Sequence, residues 1–203
     1  MVITQVRSTK RGRISLYVDD EYLFAVESEA WYRSGLKEEQ SVDEAQLNEL
    51  LSDSRRMEAK RKALNMLSVR DYSQAELISR IAQKTGAESA AAAAERMCEL
   101  GLVNDDRYAL NCAQQYFDKG YARRRIRFEL QKRKLPEDVI NQTLEEMDFS
   151  DSEQRALELI ERRFGSLADD AAKHKAVSYL ERCGYDYSAI SYAVRHLSYT
   201  EEL

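Results

Sequence analysis

The sequence has few of the residues that interrupt regular structure or that build disulfide frameworks. Its 203 residues include one proline and seven glycines, which argues against a loop-rich or β-sandwich fold. The three cysteines, Cys98, Cys112 and Cys183, are widely spaced and form no C-x-x-C pair, so no disulfide framework is predicted. No apolar run approaches the roughly 18 residues of a membrane span, and no apolar signal segment follows Met1. We therefore expect a cytoplasmic protein with reduced thiols.

Motifs that would indicate catalysis are also missing. The sequence contains no G-x-x-x-x-G-K-[ST], no G-x-G-x-x-G and no G-x-S-x-G. His174 and His196 lack the neighbours of a triad or a metal site. The acidic pair Asp105 and Asp106 follows Asn104, and a helix start explains it better than a metal site does. We predict a non-enzymatic protein without a cofactor or a metal ion.

The first part of the chain, residues 1–54, has the period-two alternation of β-strands. Apolar residues alternate from Ile14 to Val18 and again from Tyr22 to Val26, on either side of a short acidic turn. Ile3 to Val6 predicts a third strand, and a short helix should follow and end at Gly35. A further helix is expected to begin near Val42. This segment carries the chain's acidic excess, so we do not expect it to attract phosphate.

The rest of the chain has helical periodicity and reads as three similar units, at 55–104, 105–150 and 151–203. A separate helix from Met57 to Leu67 is expected to open the first unit. The second and third units align at a constant offset, which pairs Leu130 with Leu180 and Ile140 with Ile190. Because 33% of the residues are charged, an elongated shape suits the composition. The predicted fold class is mostly α, with tandem three-helix repeats that form an elongated, curved body after a small three-stranded domain.

The most unusual stretch of the sequence lies in the second unit, from Lys119 to Lys134. It holds eight basic residues and one acidic residue, Glu129, in a chain of net charge −5. Ile126 and Leu130 are spaced to form one buried edge of a helix. The candidate binding residues of this stretch are Lys119, Tyr121, Arg123, Arg124, Arg125, Arg127, Lys132, Arg133 and Lys134.

Two interpretations of the basic stretch compete. It could be a solvated helix whose charges pair with acids such as Glu129, Asp118 or Glu145. It could instead bind an anionic partner, because arginine grips phosphate and carboxylate in a bidentate manner. We favour binding, since adjacent like charges repel one another without a polyanion. Arg61 and Lys62, from a second basic group, are further candidates.

Three motifs resemble those of the RecX family of bacterial recombination regulators. They are R-D-Y-S-Q-A-E-L at 70–77, L-V-N-D-D-R-Y-A at 102–109 and G-Y-A-R-R-R-I-R-F-E-L-Q-K-R-K-L-P-E-D-V-I at 120–140. The resemblance implies a modulator of a RecA-type recombinase that binds the groove of the filament on single-stranded DNA. Such binding would inhibit ATP hydrolysis and strand exchange. Where the family usually has a glycine, this chain has Lys134, which suits a left-handed turn less well.

Two other functions also fit the residues. A helix-turn-helix transcription regulator would use three-helix units and an arginine-rich helix. A scaffold would use the acidic N-terminal segment and the helical body to join two proteins. We expect a monomer that reaches single-stranded DNA through the recombinase filament and that makes no membrane contact.

Overall fold

The computed structural model describes residues 1–10, 12–167 and 169–199, with the backbone alone at 198 and 199. The described residues form three β-strands and ten α-helices. They fall into two compact units, Met1–Val103 and Asn104–Leu203. The predicted class, helical repeats after a small three-stranded sheet, is confirmed.

The sheet is an antiparallel meander of three strands in sequence order. The strands are β1 (Ile3–Ser8), β2 (Arg13–Val18) and β3 (Glu21–Glu27). Asp19 and Asp20 connect β2 to β3, and both have positive φ, 49° and 68°. Two left-handed residues form a tight turn whose twist matches that of the flanking strands. The sequence predicted a turn at this acidic position.

Four helices complete the first unit. They are α1 (Ser28–Ser34), α2 (Glu44–Leu67), α3 (Gln74–Thr85) and α4 (Ala87–Glu99). Gly35 ends α1 with φ 67°, as expected from the sequence. Asp43 starts α2 through a capping box with Gln46.

Helix α2 corrects the prediction of two separate helices in this region. It continues without a break across the predicted boundary between residues 54 and 55. Leu47 and Leu50 in its first half pack into the core of the sheet. Ala59 and Ala63 in its second half pack with α3 and α4. Because the two halves face different cores, the apolar stripe shifts along the helix. The periodicity of the sequence therefore predicted an interruption that the structure does not have.

The second unit contains two three-helix groups. The first consists of α5 (Asp105–Asp118), α6 (Arg123–Lys132) and α7 (Glu137–Glu146). The second consists of α8 (Ser152–Phe164), α9 (Asp170–Cys183) and α10 (Tyr187–Tyr199). Leu130 and Leu180, which the repeat alignment pairs, are each fully buried in the core of their own group.

The carboxyl end of α9 meets the first turn of α6. The Ala122 N–H donates to the Cys183 carbonyl at 2.8 Å. Gly184 follows with φ 90°, and a Cβ added to it would lie 2.5 Å from the Arg125 nitrogen. A methyl group cannot fit at that distance, so glycine is needed at residue 184 for space as well as for its backbone conformation. This contact joins the two groups of the second unit.

We predict that Gly184→Ala destabilises the protein by about 3 kcal/mol or more, because strain at positive φ adds to the overlap with α6. The matched control is Gly35→Ala, at φ 67° in the same left-handed region with open space around the added Cβ, which should cost only about 1–2 kcal/mol. Urea unfolding followed by circular dichroism measures both. Equal losses of stability in the two variants would contradict the steric role of residue 184.

Candidate functional site

The candidate site is built on α6, which is anchored by its apolar edge. Ile126 and Leu130 are fully buried, as their spacing predicted. Glu129 lies beside them with 9% exposure, although it is the one acid of the basic stretch. A buried carboxylate needs cationic partners, and the helix supplies them on both sides. Arg125 contacts Glu129 at 2.7 Å and Lys132 contacts it at 3.3 Å.

A second acid, from α7, neutralises another arginine of the stretch. Arg127 forms an ion pair with Glu137 and donates to Asn141 Oδ1 at 2.6 Å. The sequence analysis named Asp118 and Glu145 as possible partners, but Asp118 accepts instead from Gln114. The interpretation as internally paired charge therefore holds for part of the stretch, through a partly different set of acids.

Arg133 is held by tyrosine hydroxyl groups of α5. Its guanidinium donates to the hydroxyl of Tyr108 and, at 3.1 Å, to that of Tyr116. Burial acts to lower the pKa of Arg133, but the hydrogen bond to Tyr116 and nearby charges outweigh it and raise the pKa above its usual value. Arg133 therefore stays charged, and its hydrogen bonds hold the end of α6 against α5.

Arg124 lies at the carboxyl end of α9. Its Nη2 is 3.3 Å from the carbonyl oxygen of Glu181 and 3.5 Å from that of Tyr185. Cations at the first turn of α6 are unfavourable for the dipole of α6 itself, but they are favourable at the carbonyl end of α9. This placement explains how the fold tolerates three consecutive arginines at the start of a helix.

The remaining cations of the stretch point outward. Lys119, Arg123 and Arg124 are exposed, and none forms an ion pair with a residue that the structure describes. Lys119 lies 5.6 Å from the ring centroid of Tyr116, and Arg123 lies 5.8 Å from that of Phe149. Lys119 and Arg123 thus each form a cation–π contact and remain accessible to an anionic partner.

Two aromatic residues differ from the expectation. Tyr121, which was predicted to be a binding residue and therefore accessible, is half-buried and stacks on Tyr116 with ring centroids 5.8 Å apart. Phe128, which the sequence analysis missed, is 50% exposed between Arg125 and Lys132. Its place in the stretch, off the edge formed by Ile126 and Leu130, was the signal that could have identified it.

The second basic group lies in the first compact unit. Arg61 contacts Glu27 at 3.3 Å, and the Lys62 ammonium donates to the Arg80 carbonyl at 2.9 Å. Both side chains thus have contacts within their own unit. Among the described residues there is no cluster of three or more His, Cys, Asp or Glu side chains that could hold a metal ion. No helix in the described ranges has the length and apolarity to cross a membrane.

The fold and its surface define an α-helical repeat protein that carries a small N-terminal sheet and one cationic helix. Residues 1–43 match the regulatory protein RecX N-terminal domain, and residues 104–144 match the RecX second three-helix domain. The chain is 34% identical over 149 residues to regulatory protein RecX of Vibrio campbellii, a match that covers 72% of this chain and 94% of that protein. The chain belongs to the RecX family of regulatory proteins.

Other relatives match over nearly the whole chain. Regulatory protein RecX of Clostridium perfringens strain 13 is 27% identical over 207 residues, which cover 98% of this chain and 97% of that protein. A crystal structure of regulatory protein RecX aligns with a TM-score of 0.62 at 19% identity, covering 95% of this chain and 98% of that one. RecX from Lactobacillus salivarius aligns over 70% of this chain and 96% of its own, with a TM-score of 0.58 and 17% identity. These structures support the fold.

Lys134, where the family pattern has a glycine, has φ 57° and follows the end of α6. We predict that Lys134→Gly stabilises the protein by about 1 kcal/mol, because a left-handed residue with a side chain is strained. The control is Lys60→Gly, which removes an exposed lysine inside α2 and should destabilise by about 1 kcal/mol. Urea midpoints measure both changes. A loss of stability in Lys134→Gly would show that the lysine side chain contributes more than its backbone strain costs.

Proposed function

We propose that this chain binds the helical groove of a RecA-type recombinase filament on single-stranded DNA and inhibits its ATP hydrolysis and strand exchange. The observation that carries the proposal is the group of exposed cations at the start of α6, namely Lys119, Arg123 and Arg124. Membership in a family of regulatory proteins supports a role that acts on another macromolecule.

The charge distribution suits a partner that contains nucleic acid. The chain is acidic overall, at −5, yet it presents cations together at one end of one helix. An anionic polymer would attract this end of α6, while the acidic residues of the N-terminal segment would be repelled from it. Exposed guanidinium groups can donate two parallel hydrogen bonds to a phosphate or a carboxylate. We therefore assign the contact to Lys119, Arg123 and Arg124.

Inhibition by binding alone requires no catalytic residue. A protein that occupies the groove would obstruct the movement of the recombinase subunits and the entry of a second DNA strand. Its effect would then follow its occupancy of the filament and would saturate as the groove is filled. The other basic residues of α6 have a supporting role in this proposal, because Arg125, Arg127 and Arg133 hold the helix in place through internal partners.

The structure favours this proposal over sequence-specific DNA recognition. A recognition helix contacts base edges with residues near its amino terminus, which must enter the major groove. The first turn of α6 instead packs against the end of α9, where Gly184 approaches Arg125 within contact distance. Arg124 also contacts backbone carbonyls of that segment. These contacts leave α6 without the free amino-terminal end that a recognition helix needs.

The test is the rate of recombinase ATP hydrolysis on single-stranded DNA as this protein is titrated in. We predict that a Lys119→Glu and Arg123→Glu double variant needs about tenfold more protein for half-inhibition. Exposed ion pairs contribute up to about 1 kcal/mol each, and reversal adds repulsion to their loss.

The matched control reverses two exposed lysines of the first unit, Lys10→Glu with Lys37→Glu, which produces the same change in net charge. Its inhibition curve should stay close to that of the unmodified protein. Circular dichroism establishes that both variants are folded. Undiminished inhibition by the Lys119 and Arg123 variant would remove these residues from the contact, and no inhibition by the unmodified chain would end the proposal.

A further inference from the structure

The group formed by α8, α9 and α10 carries a groove that the contacts described above leave open. It lies along α9 and α10, with Arg124 of α6 at its rim, and encloses about 640 Å³. That volume is in the range of sites that bind small molecules or single nucleotides. Its lining is apolar at Val177, Ile190 and Val194.

An exposed tyrosine lines this groove. Tyr187, the first residue of α10, is 85% exposed, and no hydrogen bond or ring contact engages it among the described residues. By contrast, Tyr108 and Tyr185 of the second unit are buried, with 7% and 2% exposure. An aromatic ring that remains open beside an apolar lining presents a flat face on which another ring can stack.

Cations surround the groove. Arg124, Lys173 and Arg195 all contribute to its lining, and none forms an ion pair with a described residue. The contacts of Arg124 with two carbonyl groups hold its guanidinium at the rim before any ligand arrives. Three positive charges from three different helices therefore face one apolar groove.

Two carboxylates, Glu181 and Asp186, also line the groove. Asp186 accepts from the Ala189 N–H at 2.9 Å and from the Ser188 hydroxyl at 2.8 Å. Hydrogen bonds from the Ala189 N–H and from Ser188, together with the nearby Arg124 guanidinium, lower the pKa of Asp186, so this carboxylate keeps its charge. The two acids therefore oppose the three cations, which leaves the lining of the groove with a net charge of +1.

We propose that this groove binds single-stranded DNA, with one base stacked on Tyr187 and the neighbouring phosphates at Arg124, Lys173 and Arg195. Sites for single strands combine an accessible aromatic ring with cations that follow the backbone. A helical peptide would require a longer apolar channel with anchors at every turn, whereas here the apolar lining is confined to three residues. The inference rests on the proposed function, because it names the part of the filament that the group of α8, α9 and α10 contacts.

Binding of a fluorescently labelled oligothymidylate of about 16 nucleotides, followed by anisotropy at low salt without recombinase, tests the stacking. Tyr187→Ala should weaken binding by about tenfold or more, because it removes the stacking face. Tyr187→Phe keeps the ring and should bind almost as tightly as the unmodified protein. The matched control is Tyr32→Ala, which removes a tyrosine that is 75% exposed in the first unit and should leave binding unchanged.

The salt dependence of the same binding tests the phosphate contacts. Lys173→Ala should reduce the slope of log affinity against log salt concentration by about 0.7, the value for one phosphate of a single strand. Lys84→Ala, at an exposed position of α3, should leave the slope unchanged. A merely structural role of Lys173 would alter stability without altering this slope.

Three results would overturn the inference. The first is an unmodified protein that binds no oligothymidylate, and the second is a Tyr187→Ala variant that binds it as tightly as the unmodified protein does. The third is a Tyr187→Ala variant that loses only the binding of recombinase without DNA. The last result would make the groove a protein-binding site. The two proposals fail separately: Tyr187-dependent oligonucleotide binding without ATPase inhibition would retain the groove and reject the regulatory function.

Discussion

The meeting of α9 with α6 is the constraint on which the second unit depends. The hydrogen bond from Ala122 to Cys183 and the close approach of Gly184 to Arg125 place the carbonyl end of one helix against the first turn of the other. That arrangement offsets the electrostatic cost of arginines at the amino end of α6, because the same cations lie near the negative end of the α9 dipole. The group of α8, α9 and α10 therefore stabilises the basic stretch at the start of α6.

This constraint divides the positive charge of α6 into two parts. Arg125, Arg127 and Arg133 are directed to Glu129, Glu137 and the tyrosines of α5, and they stabilise the position of the helix. A smaller part, at Lys119 and Arg123, extends toward solvent above aromatic rings. The net charge of a sequence segment thus overstates the charge that a partner meets, since the buried Glu129 and the exposed Glu137 neutralise some of it locally.

Much of the fold could be predicted because its signals are local. The alternation around Asp19, the cap at Asn104 and the glycine after α1 each depend on a few neighbouring residues, and the structure has all three. The repeat offset also located equivalent core positions, such as Leu130 and Leu180. These features follow from backbone geometry and apolar periodicity, which a sequence displays directly.

The features that could not be predicted depend on residues far apart in the chain. The contact of Arg124 with Glu181 spans 57 positions, and no local pattern indicates it. The sequence did not predict that α2 is one continuous helix, because its two halves face separate cores and have different apolar stripes. The candidate groove along α9 and α10 likewise required the structure, since its cations come from three helices and its exposed Tyr187 lies in an otherwise ordinary helix start.

The two positive-φ residues that the repeat alignment equates, Lys134 and Gly184, show how function can alter a repeat. Gly184 must be glycine for two reasons, because its φ is 90° and because an added Cβ would overlap Arg125. Lys134 is exposed, so its position has only the first of these restrictions. A side chain is therefore tolerated at the end of α6, where a cation is favourable for the helix dipole. The second repeat accepts backbone strain there and gains a further positive charge at the carboxyl end of α6.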